Sequence, residues 1–209
     1  MRPLVFRNNK KNIPSLIWRS LKWQMNYSFM KKPAPLACGL YLTNKCNLRC
    51  DFCNIWRKPD GAMLPLGKAK RLIDELSDLG CFYFSITGGE PLLVEHIFDI
   101  LSYAKKGNIK YLHMVTNGSL LNRDKAIMLR ETGIDEVSIS IDGTAENHDK
   151  GRGVSGTYLK AIKAIENMRE FAPKVNIVLN AIFFPDNPFE CLHVAGLCRK
   201  FGIYMKVQP

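Results

Sequence analysis

From residue 36 onward the chain alternates between short apolar runs and longer amphipathic ones. The first run, L-A-C-G-L-Y-L-T over 36–43, is nearly continuous in apolar residues and starts after Pro35, the pattern of a strand covered on both faces. Leu66, Ala69, Leu72, Ile73 and Leu76 then recur at helical spacing, which predicts a helix over 65–79 stopped by Gly80. The beat continues with strands at 81–86, 109–115, 136–141, 174–182 and 203–207. Helices at 95–106, 123–132, 156–171 and 188–201 separate them, and Gly133 and Gly202 act as stops. Six strands, each followed by a helix except the last, predict an α/β fold with parallel pairing and helices on the sheet faces. Right-handed crossovers leave an open doubly wound sheet or a curved, barrel-like one. In either case the chemistry belongs in the loops after the C-terminal ends of the strands.

Residues 1–35 lack this rhythm. The stretch I-P-S-L-I-W-R-S-L-K-W-Q-M-N-Y-S-F-M (13–30) is rich in large apolar and aromatic residues, and K-K-P-A-P separates it from the first strand. A helix from Pro14 groups Leu16, Ile17, Ser20 and Leu21 on one side, while Trp18, Trp23, Met25 and Phe29 spread more widely. Charge sharpens the division. The net charge is +11, yet residues 1–50 hold ten Lys and Arg and no acidic residue, so about +1 remains for the rest. The basicity is local, and no nucleic-acid partner is expected for the body of the protein. Packing against the outside of the domain and contact with an anionic membrane surface or a partner both suit residues 13–30. The division is thus a basic segment, 1–35, and a core domain, 36–209.

Composition adds exclusions. Hydrophobic residues make up 46% and charged residues 23%, as in ordinary globular proteins. No apolar run approaches the ~18 residues of a spanning helix, and the N-terminus lacks the continuous apolar stretch of a secretory signal. Seven cysteines without such a signal point to a reducing compartment, with the cytoplasm the expected location, peripheral at a membrane if the basic segment binds lipid. Cys38, Cys81, Cys191 and Cys198 fall at core positions of strands and a helix and read as packing residues.

The remaining three are different. Cys46, Cys50 and Cys53, in N-K-C-N-L-R-C-D-F-C, fall directly after the first strand, where a functional loop belongs. Thiolates are soft ligands for iron–sulfur clusters, zinc or copper(I). A tetrahedral zinc site needs a fourth ligand, and the nearest histidines in the chain, His96 and His113, are far along it. A cluster held at three irons, with the fourth open to a small molecule, matches the count as it stands. Zinc with a distant ligand and metal-free cysteines remain alternatives on this ground.

The stretch C-N-L-R-C-D-F-C, with Phe52 before its last cysteine, resembles the signature of radical S-adenosylmethionine enzymes. T-G-G-E-P (87–91) after the second strand agrees, and S-I-S-I-D-G (138–143) sends Ser138, Ser140 and Asp142 to one strand face. The resemblance implies a partial (β/α)6 TIM-like barrel without a final helix, and a [4Fe–4S] cluster on Cys46, Cys50 and Cys53. It implies S-adenosylmethionine bound near Gly88, Gly89 and Glu90, with Ser140, Asp142 and Arg152 (in H-D-K-G-R-G) as candidate contacts. Asn117 of T-N-G, Asn180 and Phe52 are further cofactor-side candidates. The implied reaction is reductive cleavage to methionine and a 5′-deoxyadenosyl radical that takes hydrogen from a substrate the sequence does not name. A flavodoxin or ferredoxin is the implied kind of electron donor. The motifs look closest to the branch of molybdopterin-synthesis, peptide-maturation and heme-modification enzymes. A competing expectation is a non-catalytic iron–sulfur or zinc protein. The chain stops straight after the sixth strand, as would a fragment or a minimal core completed by another chain.

Overall fold

The structure, a computed structural model, describes residues 35–57 and 61–208, together with Ile17, Trp18, Leu21 and Met25. Six strands form one sheet: β1 (Ala37–Thr43), β2 (Tyr83–Gly88), β3 (Tyr111–Thr116), β4 (Glu136–Ser140), β5 (Asn176–Ile182) and β6 (Tyr204–Gln208). Their spatial order is their chain order and every pairing is parallel. The helices are α1 (Leu66–Asp78), α2 (Ile97–Lys106), α3 (Arg123–Thr132), α4 (Ala145–Arg152), α5 (Thr157–Phe171) and α6 (Phe189–Phe201). β1 and β6 are the two edges of the sheet, so the barrel is partial rather than closed. Among the described residues no helix follows β6.

The two faces of the sheet differ in chemistry. Leu42, Phe84, Ile86, Leu112, Met114, Val137, Ile139 and Leu179 point to the convex side and join Ile73, Leu101, Leu129, Ala164 and Val194 of the helices in one core. Full burial of a leucine-sized side chain is worth about 1.5–3 kcal/mol, so this layer holds the helices to the sheet. The other face is polar. His113 of β3 bonds Ser85 of β2 through Nδ1 and Ser138 of β4 through Nε2, both at 2.8 Å. Tyr111 Oη and Lys206 Nζ donate to opposite oxygens of Glu136, each at 2.8 Å. Lys206 thereby links β6 to β4 across β5.

Burial of this layer has a consequence for acid stability. Desolvation pushes the His113 pKa down to about 3, and Lys206 acts in the same direction. Burial, helped by Arg152, lowers His148 of α4 to about 4. A depressed folded value leaves the unfolded chain as the better proton acceptor between those values and 6.5. Stability therefore falls as pH drops through that window, by up to about 1.4 kcal/mol per pH unit for each histidine. His113→Gln should flatten this slope in urea melts taken from pH 7 down to pH 4.5. An unchanged slope would show that His113 does not titrate in this way.

The expected strands and helices are present, with β2, β3 and β5 starting two residues later than the apolar runs suggested. Cys81 and Phe82 are fully buried yet lie in the turn before β2, where the Phe82 carbonyl accepts the amides of Lys110 and Tyr111. Burial extends the apolar signal beyond the paired backbone. One element was not expected: H-D-K-G-R-G reads as loop, but it belongs to α4. That helix buries only His148 and Arg152, so it carries no apolar periodicity. Asp149 fixes its far end by accepting the Gly156 and Tyr158 amides and the Thr157 hydroxyl at the start of α5.

The other expectations for residues 13–30 lie outside the described residues. Ile17, Trp18, Leu21 and Met25 are helical and more than half exposed. No described helix is long and apolar enough to cross a membrane. All seven cysteines are free, and Cys81 and Cys198 are buried as packing residues.

Candidate cofactor cleft

The loop after β1 is tied to three other strand ends before any ligand is considered. The Gly89 amide donates to the Thr43 carbonyl at 2.7 Å and the Glu90 amide to the Lys45 carbonyl at 2.8 Å. Asn47 donates to Ser119 Oγ at 2.8 Å and accepts from Asn117 Nδ2 at 3.0 Å, joining the loop to the turn after β3. The Arg49 and Asp51 amides donate to the carbonyls of Arg152 and Gly151, both at 3.1 Å, strapping the loop to α4. Trp56 Nε1 donates to the Cys50 carbonyl at 3.0 Å. These bonds set where the three thiols point.

Cys46, Cys50 and Cys53 line one cleft above the sheet. Burial pushes the Cys46 thiol up, opposed by the Leu48 amide bonded to its sulfur. Burial likewise raises Cys50, opposed mainly by Arg152. No three His, Cys, Asp or Glu side chains among the described residues are placed to hold a single metal ion. Among the described residues the cleft lining offers three soft thiol donors and no histidine, carboxylate or fourth cysteine, which suits an iron–sulfur group held at three irons better than a closed tetrahedral zinc site. The donor set therefore fits the iron–sulfur group that the sequence implies.

Gly88, Gly89, Ser140, Asn117, Arg152 and Phe52 also line this cleft. Gly88 has a φ of 126°, and a Cβ there would lie 2.6 Å from the Thr43 carbonyl oxygen. The paired glycines thus let the end of β2 press directly against the cysteine loop. Asn117 is held by the Ser119 amide and hydroxyl on its Oδ1 and by Asn47 on its Nδ2. Phe52 is exposed, with the Arg152 guanidinium 5.2 Å from its ring centre.

Glu90, Asp142 and Asn180 do not line the cleft. Glu90 is completely buried, with its carboxylate occupied by neighbours. Oε1 accepts from the Leu92 amide and from Thr116 Oγ1 at 2.7 Å, and Oε2 accepts from the Asn117 amide at 2.8 Å. Desolvation raises its pKa, against the pull of these donors and of Lys125. Its position makes it a brace between the loops after β2 and β3. Asp142 is buried in a pair with Arg152, Nε to Oδ2 at 2.7 Å. Burial works against the Arg152 charge, but Asp142 and Cys50 more than offset it and raise its pKa. Asn180, half-buried on β5, accepts the Ile141 amide through its carbonyl.

Sequence reasoning missed Asn47, Thr116 and Ser119 as positioning residues, and Thr87 and Val115 as lining residues. Thr116 opens the T-N-G turn and Ser119 follows it, so that turn was the available signal. Asn47 sits inside the cysteine motif at a position the thiol spacing leaves unspecified.

Comparison with known proteins gives the family of the chain. The model of the radical SAM superfamily matches residues 40–196. A Fe-coproporphyrin III synthase of Methanosarcina barkeri is 30% identical over 176 residues, which cover 83% of this chain and 41% of that protein. A GTP 3′,8-cyclase of Clostridium perfringens is 34% identical, covering 79% and 52% of the two chains. A mycofactocin maturase of Mycobacterium ulcerans is also 34% identical, covering 83% and 47%. Among solved structures, Streptococcus suis SuiB bound to S-adenosylmethionine superposes with a TM-score of 0.73 at 19% identity, over 91% of this chain and 44% of that one. At such identity the likeness concerns the fold. The chain spans about half the length of the curated relatives it matches.

Proposed function

This chain belongs to the radical SAM superfamily, and from that membership we propose that it is the catalytic core of an enzyme that cleaves S-adenosylmethionine reductively and abstracts hydrogen from a substrate. The observation that carries this reading is the shared cleft. Among the described residues three thiols line it with no fourth cysteine, histidine or carboxylate, together with the glycine pair at the end of β2, Ser140 and Arg152. Cys46, Cys50 and Cys53 would hold a [4Fe–4S] cluster. When bound, that group supplies one electron to the sulfonium of S-adenosylmethionine, releasing methionine and the 5′-deoxyadenosyl radical that takes hydrogen from the substrate.

The protein's own groups supply binding and shelter. Gly88 and Gly89 allow the cofactor to approach backbone closely, and Asn117 after β3, Ser140 at the end of β4 and Arg152 at the end of α4 offer it polar contacts. Phe52 covers the side toward solvent. Glu90 acts one step back, by holding Thr116 and the Asn117 amide in place. The polar concave face, running from the cleft down to His113 and Glu136, is the surface on which a substrate with hydrogen-bonding groups would rest. The electron comes from an external donor of the flavodoxin or ferredoxin kind.

Anaerobic reconstitution with iron and sulfide tests the reading. About four irons per chain and dithionite-dependent formation of 5′-deoxyadenosine from S-adenosylmethionine are expected. One tightly bound zinc with no cleavage would overturn it in favour of a structural metal protein.

The basic segment is assigned to an anionic membrane surface. Eight cationic and no acidic residues in 1–35 match such a surface in charge, and Ile17, Trp18, Leu21 and Met25 are exposed apolar side chains. The full chain should co-sediment with vesicles of one-third phosphatidylserine and release as salt rises from 0.1 to 0.5 M. Equal binding to neutral vesicles at all salt concentrations would refute the electrostatic part.

A further inference from the structure

Asp142 and Arg152 have partners that a simple ligand-binding role leaves unexplained. Asp142 follows β4 and Arg152 ends α4, and the two meet as a buried pair with 5% and 9% of their surfaces exposed. The Ile182 amide donates to the other Asp142 oxygen at 3.2 Å, and the Asp142 amide donates to His148 Nδ1 at 3.2 Å. The carboxylate is thus anchored to β5 as well as to Arg152, and the Asp142 backbone to His148 of α4. The Nε–Oδ2 bond ties the guanidinium to this anchored carboxylate. Its Nη1 lies 4.0 Å from Cys50 Sγ, and its Cζ lies over the Phe52 ring, 5.2 Å from the ring centre. The Arg152 carbonyl also accepts the Arg49 amide, so the same residue fixes the backbone next to Cys50. Burying an ion pair carries a desolvation penalty that its own attraction often only matches. Its retention beside a metal-ligating sulfur points to a use other than stability.

We propose that Asp142 positions Arg152 to set the electron affinity of the iron–sulfur group held by Cys46, Cys50 and Cys53. The inference rests on the reading under Proposed function. On reduction the group gains one electron from an external low-potential donor, and no other bond changes. A fixed guanidinium next to Cys50 sulfur stabilises the added negative charge, both as a hydrogen-bond donor and as a cation in a poorly solvated site. Asp142 moderates that effect with its own negative charge. The pair therefore holds the group more reducible than it would be with no cation, and less so than with an uncompensated one.

The test is an EPR-monitored redox titration of the reconstituted full chain without S-adenosylmethionine, with iron content and melting temperature measured alongside. Arg152→Gln should keep about four irons and move the midpoint negative by at least tenfold in the reduction equilibrium, ~59 mV for one electron. Arg152→Lys, which restores charge without the fork, should fall between it and the wild type. Asp142→Asn, which keeps the guanidinium, should move the midpoint positive. Midpoints of Arg152→Gln and Asp142→Asn equal to the wild type, or moved the opposite way, overturn the inference while the proposed function stands. If Arg152→Gln loses its iron, Asp142→Asn carries the test alone, and an unmoved or more negative midpoint overturns the inference. A wild-type chain that assembles no four-iron cluster overturns the proposed function and this inference together.

Discussion

Replacing Cys50 with alanine is expected to abolish iron–sulfur assembly and 5′-deoxyadenosine formation together. Loss of a residue that merely supports a metal site typically costs 10–100-fold. Loss of one of only three protein ligands should exceed that and take cleavage to background. Cys50 is the most enclosed of the three, with its carbonyl tied to Trp56 and its sulfur facing Arg152. No other cysteine is close enough in the chain to substitute, since Cys38 faces the helix layer and Cys81 lies in the turn before β2. Cys38→Ala is the matched control. Its half-buried thiol packs against the core, so iron content and cleavage should stay near wild type, with a stability change of about 1 kcal/mol or less. Iron and sulfide content, the visible absorption of the cluster and chromatography of the nucleoside product read the outcome. Cys50→Ala protein with a full iron complement would show that these thiols are not the ligands.

Gly89→Ala should damage the fold and the site at once. A Cβ on Gly89 would land on the Lys45 carbonyl, far inside van der Waals contact, and within 3.2 Å of the Asn44 carbonyl carbon. Both obstacles are backbone, so no rotamer change relieves them, and the β2 end must part from the cysteine loop. Ordinary overpacking costs about 1–3 kcal/mol, and an immovable obstacle should bring the upper end or more. A melting temperature lower by roughly 5–10 °C follows for a chain of this length. Iron loading should fall as well, because the Gly89 and Glu90 amides are what hold Thr43 and Lys45 in place. Gly39→Ala, where a Cβ meets nothing within 4 Å, should melt close to the wild type. Equal melting of the two variants would mean that the contact between β2 and the cysteine loop is looser than described.

Much of the catalytic layout is written in short stretches of chain. Three cysteines within eight positions, a glycine pair after a strand, and a strand that alternates serine with valine and isoleucine are local patterns. Local patterns survive in sequence because backbone period and ligand spacing act over a few residues. The alternation of apolar strands and amphipathic helices fixed the α/β class in the same way, since each crossover needs its own helix. What sequence could not show is which polar side chains face a ligand and which face each other. Glu90, Asp142 and Arg152 all looked like cofactor contacts, and of these only Arg152 lines the cleft. Only the folded chain brings Thr116 and Asn117 to Glu90 from the neighbouring strand, and Arg152 at the end of α4 back to Asp142. It also reveals α4, a polar helix held by Asp149 and the cysteine loop rather than by an apolar stripe. Such pairings join residues far apart in the chain or across a loop of no fixed period. They exist because a buried carboxylate must find donors wherever the fold offers them. The chain's own order therefore determined the sheet and the three-thiol loop, and tertiary packing decided which charged groups pair with each other and which line the cleft.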